Sequence, residues 1–247
     1  MNFYALRRLI LRLTVMVGGE AMQSAFHLAL NLVLLHSVSA RDYGIFALAM
    51  VAGGIGLTYI RALTALPASI CIAGSRRTGA ANAYEVSFGT AAALLSALFG
   101  VVVAIVLEGW LDEGAVSGGA FVALWALRAH IRMVFFARNR QMLVSASDLL
   151  FTLSGAAATA WVVWDDTHIL QHTFLIMTLA NALGIAAMLV LGRRPVRLGA
   201  GAHLWRRYRR LWRDLKWSLL SVTITNRQGQ GMALLVAAIA GPPAYAP

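Results

Sequence analysis

The chain has 247 residues, of which 60% are hydrophobic and only 13% charged, with a formal net charge of +11 and a pI near 11.1. An ordinary soluble domain carries about 25% charged residues, and one core of this size could not hide so much apolar surface. Bilayer lipid is therefore read as the solvent, and a nucleic-acid partner is set aside, because the positive charge is not spread over a surface.

The N-terminus, MNFYALRRLILRL, has the basic start of a signal peptide. The apolar region that follows contains Glu20, Gln23, His27 and Asn31, and small residues arrive only around Val38-Ser39-Ala40. It is read as a retained helix. Seven spans follow from the apolar runs: 14–36, 44–70, 84–107, 118–137, 145–164, 168–192 and 217–240. Each is near or above the ~20 residues that cross ~30 Å of hydrocarbon. Period-two alternation is lacking, so an all-α integral membrane protein is expected.

Charges between the spans give an orientation. Arg7, Arg8 and Arg12 precede the first span, Arg76 and Arg77 follow the second, and Arg138 and Arg140 follow the fourth. Nine of the 21 basic residues lie between Arg193 and Lys216, after the sixth. The opposite loops carry Arg41 with Asp42, then Glu108, Asp112 and Glu113, then Asp165 and Asp166. Sixteen basic residues on one side against one on the other place the N-terminus in the cytoplasm. Trp110, Trp161, Trp164, Trp205, Trp212 and Trp217 fall near span ends, at headgroup level.

The organisation expected is a six-helix lobe (1–192), a basic amphipathic linker (193–216) and the first helix of a second lobe (217–247). In the linker, HLWRRYRRLWRDLKW puts Leu204, Tyr208, Leu211, Trp212 and Leu215 on one stripe, suited to lie along the inner membrane surface among anionic phospholipid headgroups. The helix end running into Ser39-Ala40-Arg41-Asp42-Tyr43 is echoed by Ala240-Gly241-Pro242-Pro243-Ala244-Tyr245. Repeated halves joined by a basic linker are a transporter arrangement, so the chain reads as one half plus one helix of a longer protein.

The chemistry-bearing residues are those that interrupt the spans. Glu20, Gln23, His27 and Asn31 stack on one helix face. Such a stripe is costly against lipid. It lines a substrate or proton path, with Glu20 and His27 as proton-coupling groups, or makes hydrogen bonds between helices. Arg128 and Arg132 are an i, i+4 pair, Arg61 lies six residues before a helix-breaking Pro67, and Arg227 sits among Asn226, Gln228 and Gln230. A charge at mid-membrane costs ~2.5–3.5 kcal/mol, so four want a common reason. One is a cationic cavity for a phosphate-bearing cargo, in which Gln23, Asn31, Arg61, Arg128, Arg132 and Arg227 bind substrate. The other is snorkelling or pairing with Glu20, Glu85 or Asp148. Glu85 and Asp148 are read as caps at helix starts. Gly53-Gly54-Ile55-Gly56 and Gly155-Ala156-Ala157-Ala158 are read as sites of close helix packing.

A phosphate-cradling glycine loop, HExxH and GxSxG are all absent, and Cys71 stands alone, so no enzyme, cofactor or metal site is expected. The group Asp165, Asp166, His168 and His172 is read as a solvated loop.

The stretch Ser39-Ala40-Arg41-Asp42-Tyr43-Gly44-Ile45-Phe46-Ala47 resembles the junction between the first two helices of bacterial polysaccharide and O-antigen flippases, in the multidrug/oligosaccharidyl-lipid/polysaccharide exporter superfamily. Phe135-Phe136-Ala137-Arg138-Asn139-Arg140 through Asp148 is similar to their loop after helix four, and Trp217 onward to the start of their second lobe. The resemblance implies alternating-access transport of a lipid-linked oligosaccharide or polysaccharide precursor across the bacterial inner membrane, beside glycan polymerase machinery. It also implies a central cationic cavity, for which Glu20, Arg61 and Arg128 are candidates by position. The family has twelve or more helices, so this chain lacks most of the second lobe. The alternatives are a proton-coupled multidrug exporter, a membrane enzyme of surface-glycan assembly, and a non-transporting fragment.

Overall fold

The computed structural model describes residues 3–111, 113–165, 168–193, 199, 202–231, 235 and 239, with side chains except those of 3–6, 8, 9, 11, 12, 165, 202 and 203. Asp112, Asp166 and the 240–245 echo thus lie outside the described residues, as do the side chains of Arg8, Arg12 and Asp165. The described residues are helical throughout, with no strand. In chain order the helices are α1 (Phe3–Ser37), α2 (Ala40–Ile60), α3 (Leu66–Ala73), α4 (Thr78–Glu108), α5 (Ala115–Ala137), α6 (Gln141–Asp165), α7 (Ile169–Leu191) and α8 (Ala202–Gly229). A π-helical turn, Arg61–Ala65, joins α2 to α3 without a break.

Among the described residues, five helices are long and apolar enough to cross a membrane: α2–α3 together, α4, α5, α6 and α7. Seven were expected. The first span falls short because of the polar stripe of Glu20, Gln23, His27 and Asn31 in α1, and the seventh, 217–240, lies partly outside the described residues. The outward surface agrees with a lipid solvent. On α4, Leu94, Leu98, Val101 and Ile105 form an exposed stripe, while Arg128, Arg132, Asp148 and Asn181 are buried. Apolar residues outside and charged residues inside reverse the soluble pattern.

The turn from α1 to α2 is a cap. Ser39 Oγ accepts from the Asp42 backbone N–H at 3.1 Å, closing the first turn of α2. Arg41 then donates to the Trp110 carbonyl at 3.1 Å, fastening this turn to the far end of α4. Helix α5 is central and packs on α2, α3, α4 and α7. Its partnership with α4 rests on two glycines. A Cβ at Gly119 would strike the Gly100 carbonyl and come within 2.7 Å of the Ala104 Cβ, so the backbones touch. The glycine tracts expected to do this work instead admit rings. Gly53 lies under Trp125 and Gly155 under Phe26.

Pro67 was expected to kink or end its helix. It cannot donate to the Leu63 carbonyl four residues back, yet the helix continues. The π-turn upstream absorbs the conflict, with the Leu66 N–H reaching back to the Arg61 carbonyl. The carbonyl freed by Pro67 is taken by another element: Tyr208 Oη of α8 donates to Leu63 O at 2.9 Å. Burial pushes the Tyr208 phenol above its usual pKa, which keeps it a donor at any working pH. Tyr208→Phe should cost about 1–3 kcal/mol by orphaning that carbonyl. Thermal unfolding in detergent measures it; an unchanged midpoint would mean the carbonyl finds another donor.

Helix α8 differs from the expected linker in two ways. It runs unbroken from Ala202 to Gly229, across the 216/217 boundary drawn from sequence. Its apolar stripe also faces protein: Tyr208 and Leu211 pack on the Ala68, Ile72, Ala81, Phe88 and Val134 cluster, and Leu215 is buried. Trp212 drops out of the stripe and is exposed. Arg207 fixes the docking, donating to Ala83 O and Ser87 Oγ with its guanidinium 4.9 Å from the Tyr84 ring.

Candidate functional site

Helices α5 and α6 form an antiparallel pair about a turn in which Asn139 adopts φ 58°. Asp148 lies nine residues after Asn139, and His130, midway between Arg128 and Arg132, lies nine before it. Folding about that turn therefore sets Asp148 between the two arginines. Its Oδ1 accepts from Arg128 Nη2 and its Oδ2 from Arg132 Nη2, both at 2.8 Å. The Asp148 side chain is 1% exposed and that of Arg128 2%. Room for this cluster comes from neighbours without side chains. A Cβ at Gly19 of α1 would sit 2.8 Å from Asp148 Oδ2, and one at Gly184 of α7 would sit 2.8 Å from Arg128 Nε. The Arg128 guanidinium also lies 4.1 Å from the centre of the Phe151 ring, one turn beyond Asp148.

Asp148 was expected as a helix-start cap, and so was Glu85. Both helices begin earlier than their apolar runs, α6 at Gln141 and α4 at Thr78. The two carboxylates therefore sit two turns inside, where they pair with arginine. Glu85 accepts from Arg138 Nη2 at 2.5 Å, and Asn82 takes the same group at 2.8 Å. Arg140 reaches the Gly192 carbonyl at the end of α7.

Above the cluster lies a cavity of about 150 Å³, lined by Glu20, Gln23, Ser24 and His27 of α1, Leu57 and Arg61 at the π-turn, and Trp125, Arg128, Ala129 and Arg132 of α5. Six of the eight residues singled out in the sequence meet here: Glu20, Gln23, His27, Arg61, Arg128 and Arg132. Glu20 Oε1 is 3.1 Å from Arg132 Nη1, so Arg132 is shared between two carboxylates. His27 sits in an aromatic setting, its ring 5.7 Å from that of Trp125 and 6.0 Å from that of Phe151. Thr64, in the π-turn, hydrogen-bonds His130 Nδ1 at 3.0 Å behind the cavity wall.

Two of the eight stand apart. Asn31 turns back to donate to the His27 carbonyl at 2.7 Å and does not line the cavity. Arg227 is exposed on the last turn of α8. The reason is angular: its neighbour Asn226 is buried and exchanges hydrogen bonds with Thr58, which turns the next residue outward.

Several side-chain nitrogens buried around the cavity are unpartnered. Gln23 Nε2, Arg128 Nε and Arg132 Nε are buried and have no hydrogen-bond partner among the described residues, nor does His27 Nδ1. Arg61 is exposed at the rim and likewise has no ion pair among the described residues. Buried donors without acceptors are costly. Among the described residues no group of three His, Cys, Asp or Glu side chains gathers to hold a metal.

The fold and site together describe an all-helical protein of multi-pass membrane character, with an ionic cluster and a polar cavity inside its bundle. No protein-family model, curated protein or solved structure matches the chain.

Proposed function

We propose that the chain is a transport lobe that moves a lipid-linked oligosaccharide or polysaccharide precursor across the bacterial inner membrane by alternating access, holding the phosphate-bearing end of its cargo in the cavity between α1, the π-turn and α5. The supporting observation is the cavity lining: the three arginines Arg61, Arg128 and Arg132 all border it. Guanidinium offers phosphate a forked pair of donors, and the interior of a bilayer strengthens each bond. A cationic drug would be repelled by the same three groups, which weighs against a multidrug exporter. The N-terminal arginines and the arginine-rich face of α8 belong on the cytoplasmic side, beside anionic headgroups.

Arg61→Ala is the cleanest test, because Arg61 lines the cavity from an exposed position and no described residue depends on it. In vesicles reconstituted with the chain, inward movement of a fluorescent short-chain polyprenyl-diphosphate sugar should fall about tenfold or more. An unchanged rate would remove the cavity from the transport path.

A further inference from the structure

The two carboxylates that touch Arg132 are unlike. Asp148 is 1% exposed, binds at 2.8 Å, and is locked between two arginines by α5, α6 and Gly19. Glu20 is 54% exposed, binds at 3.1 Å, makes this one ion pair among the described residues, and stands in the cavity lining itself. The first carboxylate is part of the scaffold. The second lies where a cargo oxygen would have to bind.

We infer that Glu20 is a tethered occupant of the anion site: it holds Arg132 while the cavity is empty and is displaced when a phosphate group arrives. This rests on the anion-binding reading above and specifies how that site is controlled. Glu20 and the anion carry like charge and would crowd the same Arg132 Nη1 in a cavity of about 150 Å³, so they exclude one another. Arg61, exposed at the rim and without an ion pair among the described residues, favours the incoming group as well. Asp148 stays bound throughout and stops the freed Arg132 from following Glu20. The exchange also releases a link between α1 and α5, since the Glu20–Arg132 bond joins the two helices across the cavity mouth. Cargo binding and the loosening of α1 are thereby one event, as alternating access requires of a loaded carrier.

Inorganic pyrophosphate titrated by calorimetry into the purified full chain, in neutral detergent at low salt, tests the exchange. Removing the competitor in Glu20→Gln should tighten binding about three- to tenfold over the wild type. Adding Arg132→Gln should abolish that gain, since nothing is left to compete for. Should Glu20→Gln unfold, Glu20→Asp, whose shorter arm reaches Arg132 less well, should show a smaller gain. Equal or weaker binding in a folded Glu20→Gln overturns the exchange and leaves the anion site standing. No binding by wild type, Glu20→Gln or Glu20→Asp overturns the anion site and the exchange together.

Discussion

Replacing Asp148 by Asn should destabilise the protein by about 3–5 kcal/mol, the cost of leaving buried charge without its partner. Two guanidinium groups would lose their shared acceptor in a site where one is 2% exposed and the other 7%. Only Glu20, largely exposed, would remain to balance them. In a protein of this size the thermal midpoint should fall by roughly 6–20 °C. The neutral triple variant Arg128→Met, Arg132→Met, Asp148→Leu should recover much of the loss, because it removes the charges along with their compensation. Scanning fluorimetry in detergent reads both. A midpoint within about 1 °C of wild type for Asp148→Asn would show that shape, rather than charge, holds α5 and α6 together.

Gly119→Leu should be as damaging by a different route. The added side chain would overlap the Gly100 carbonyl and the Ala104 methyl, forcing apart the most extensive helix pair in the bundle. Overpacking of this kind costs about 1–3 kcal/mol in a core that can shift, and more where backbone meets backbone. Gly89→Leu on the partner helix α4 is the control, since nothing lies within 4 Å of its added Cβ. Loss of monodisperse protein in size-exclusion chromatography for Gly119→Leu, with Gly89→Leu unaffected, is the expected result. Equal behaviour of the two would separate α4–α5 packing from stability.

What could be read from the sequence follows the range of the forces involved. Helix positions came from apolar runs and were placed well for α4 to α7, because lipid acts on each helix independently. Six of the eight candidate residues converge because a charge in an apolar run has few places to go. Arg227 stands apart because its direction depends on Asn226 meeting Thr58 across the bundle. The role of Asp148 depends on the register of a hairpin, which apolar runs do not show. The mirror relation of 148 to 128 and 132 about Asn139 is present in the sequence, but only the turn position reveals it. The π-turn could not be foreseen either. Pro67 announces a conflict, whereas its resolution depends on Tyr208, 145 positions distant from Leu63.

The pairing of Asp148 with Arg128 and Arg132 also has a consequence for biogenesis. A nascent α5 released alone into lipid would carry two bare guanidinium groups, of which Arg128, near the helix centre, would cost ~2.5–3.5 kcal/mol. The counter-charge follows within the next helix, after a turn of only Arg138, Asn139 and Arg140. Membrane entry is therefore cheapest when α5 waits for α6 and the two leave the translocation channel as a neutralised hairpin, so that the same contact which shapes the finished cavity sets the order in which its walls are built.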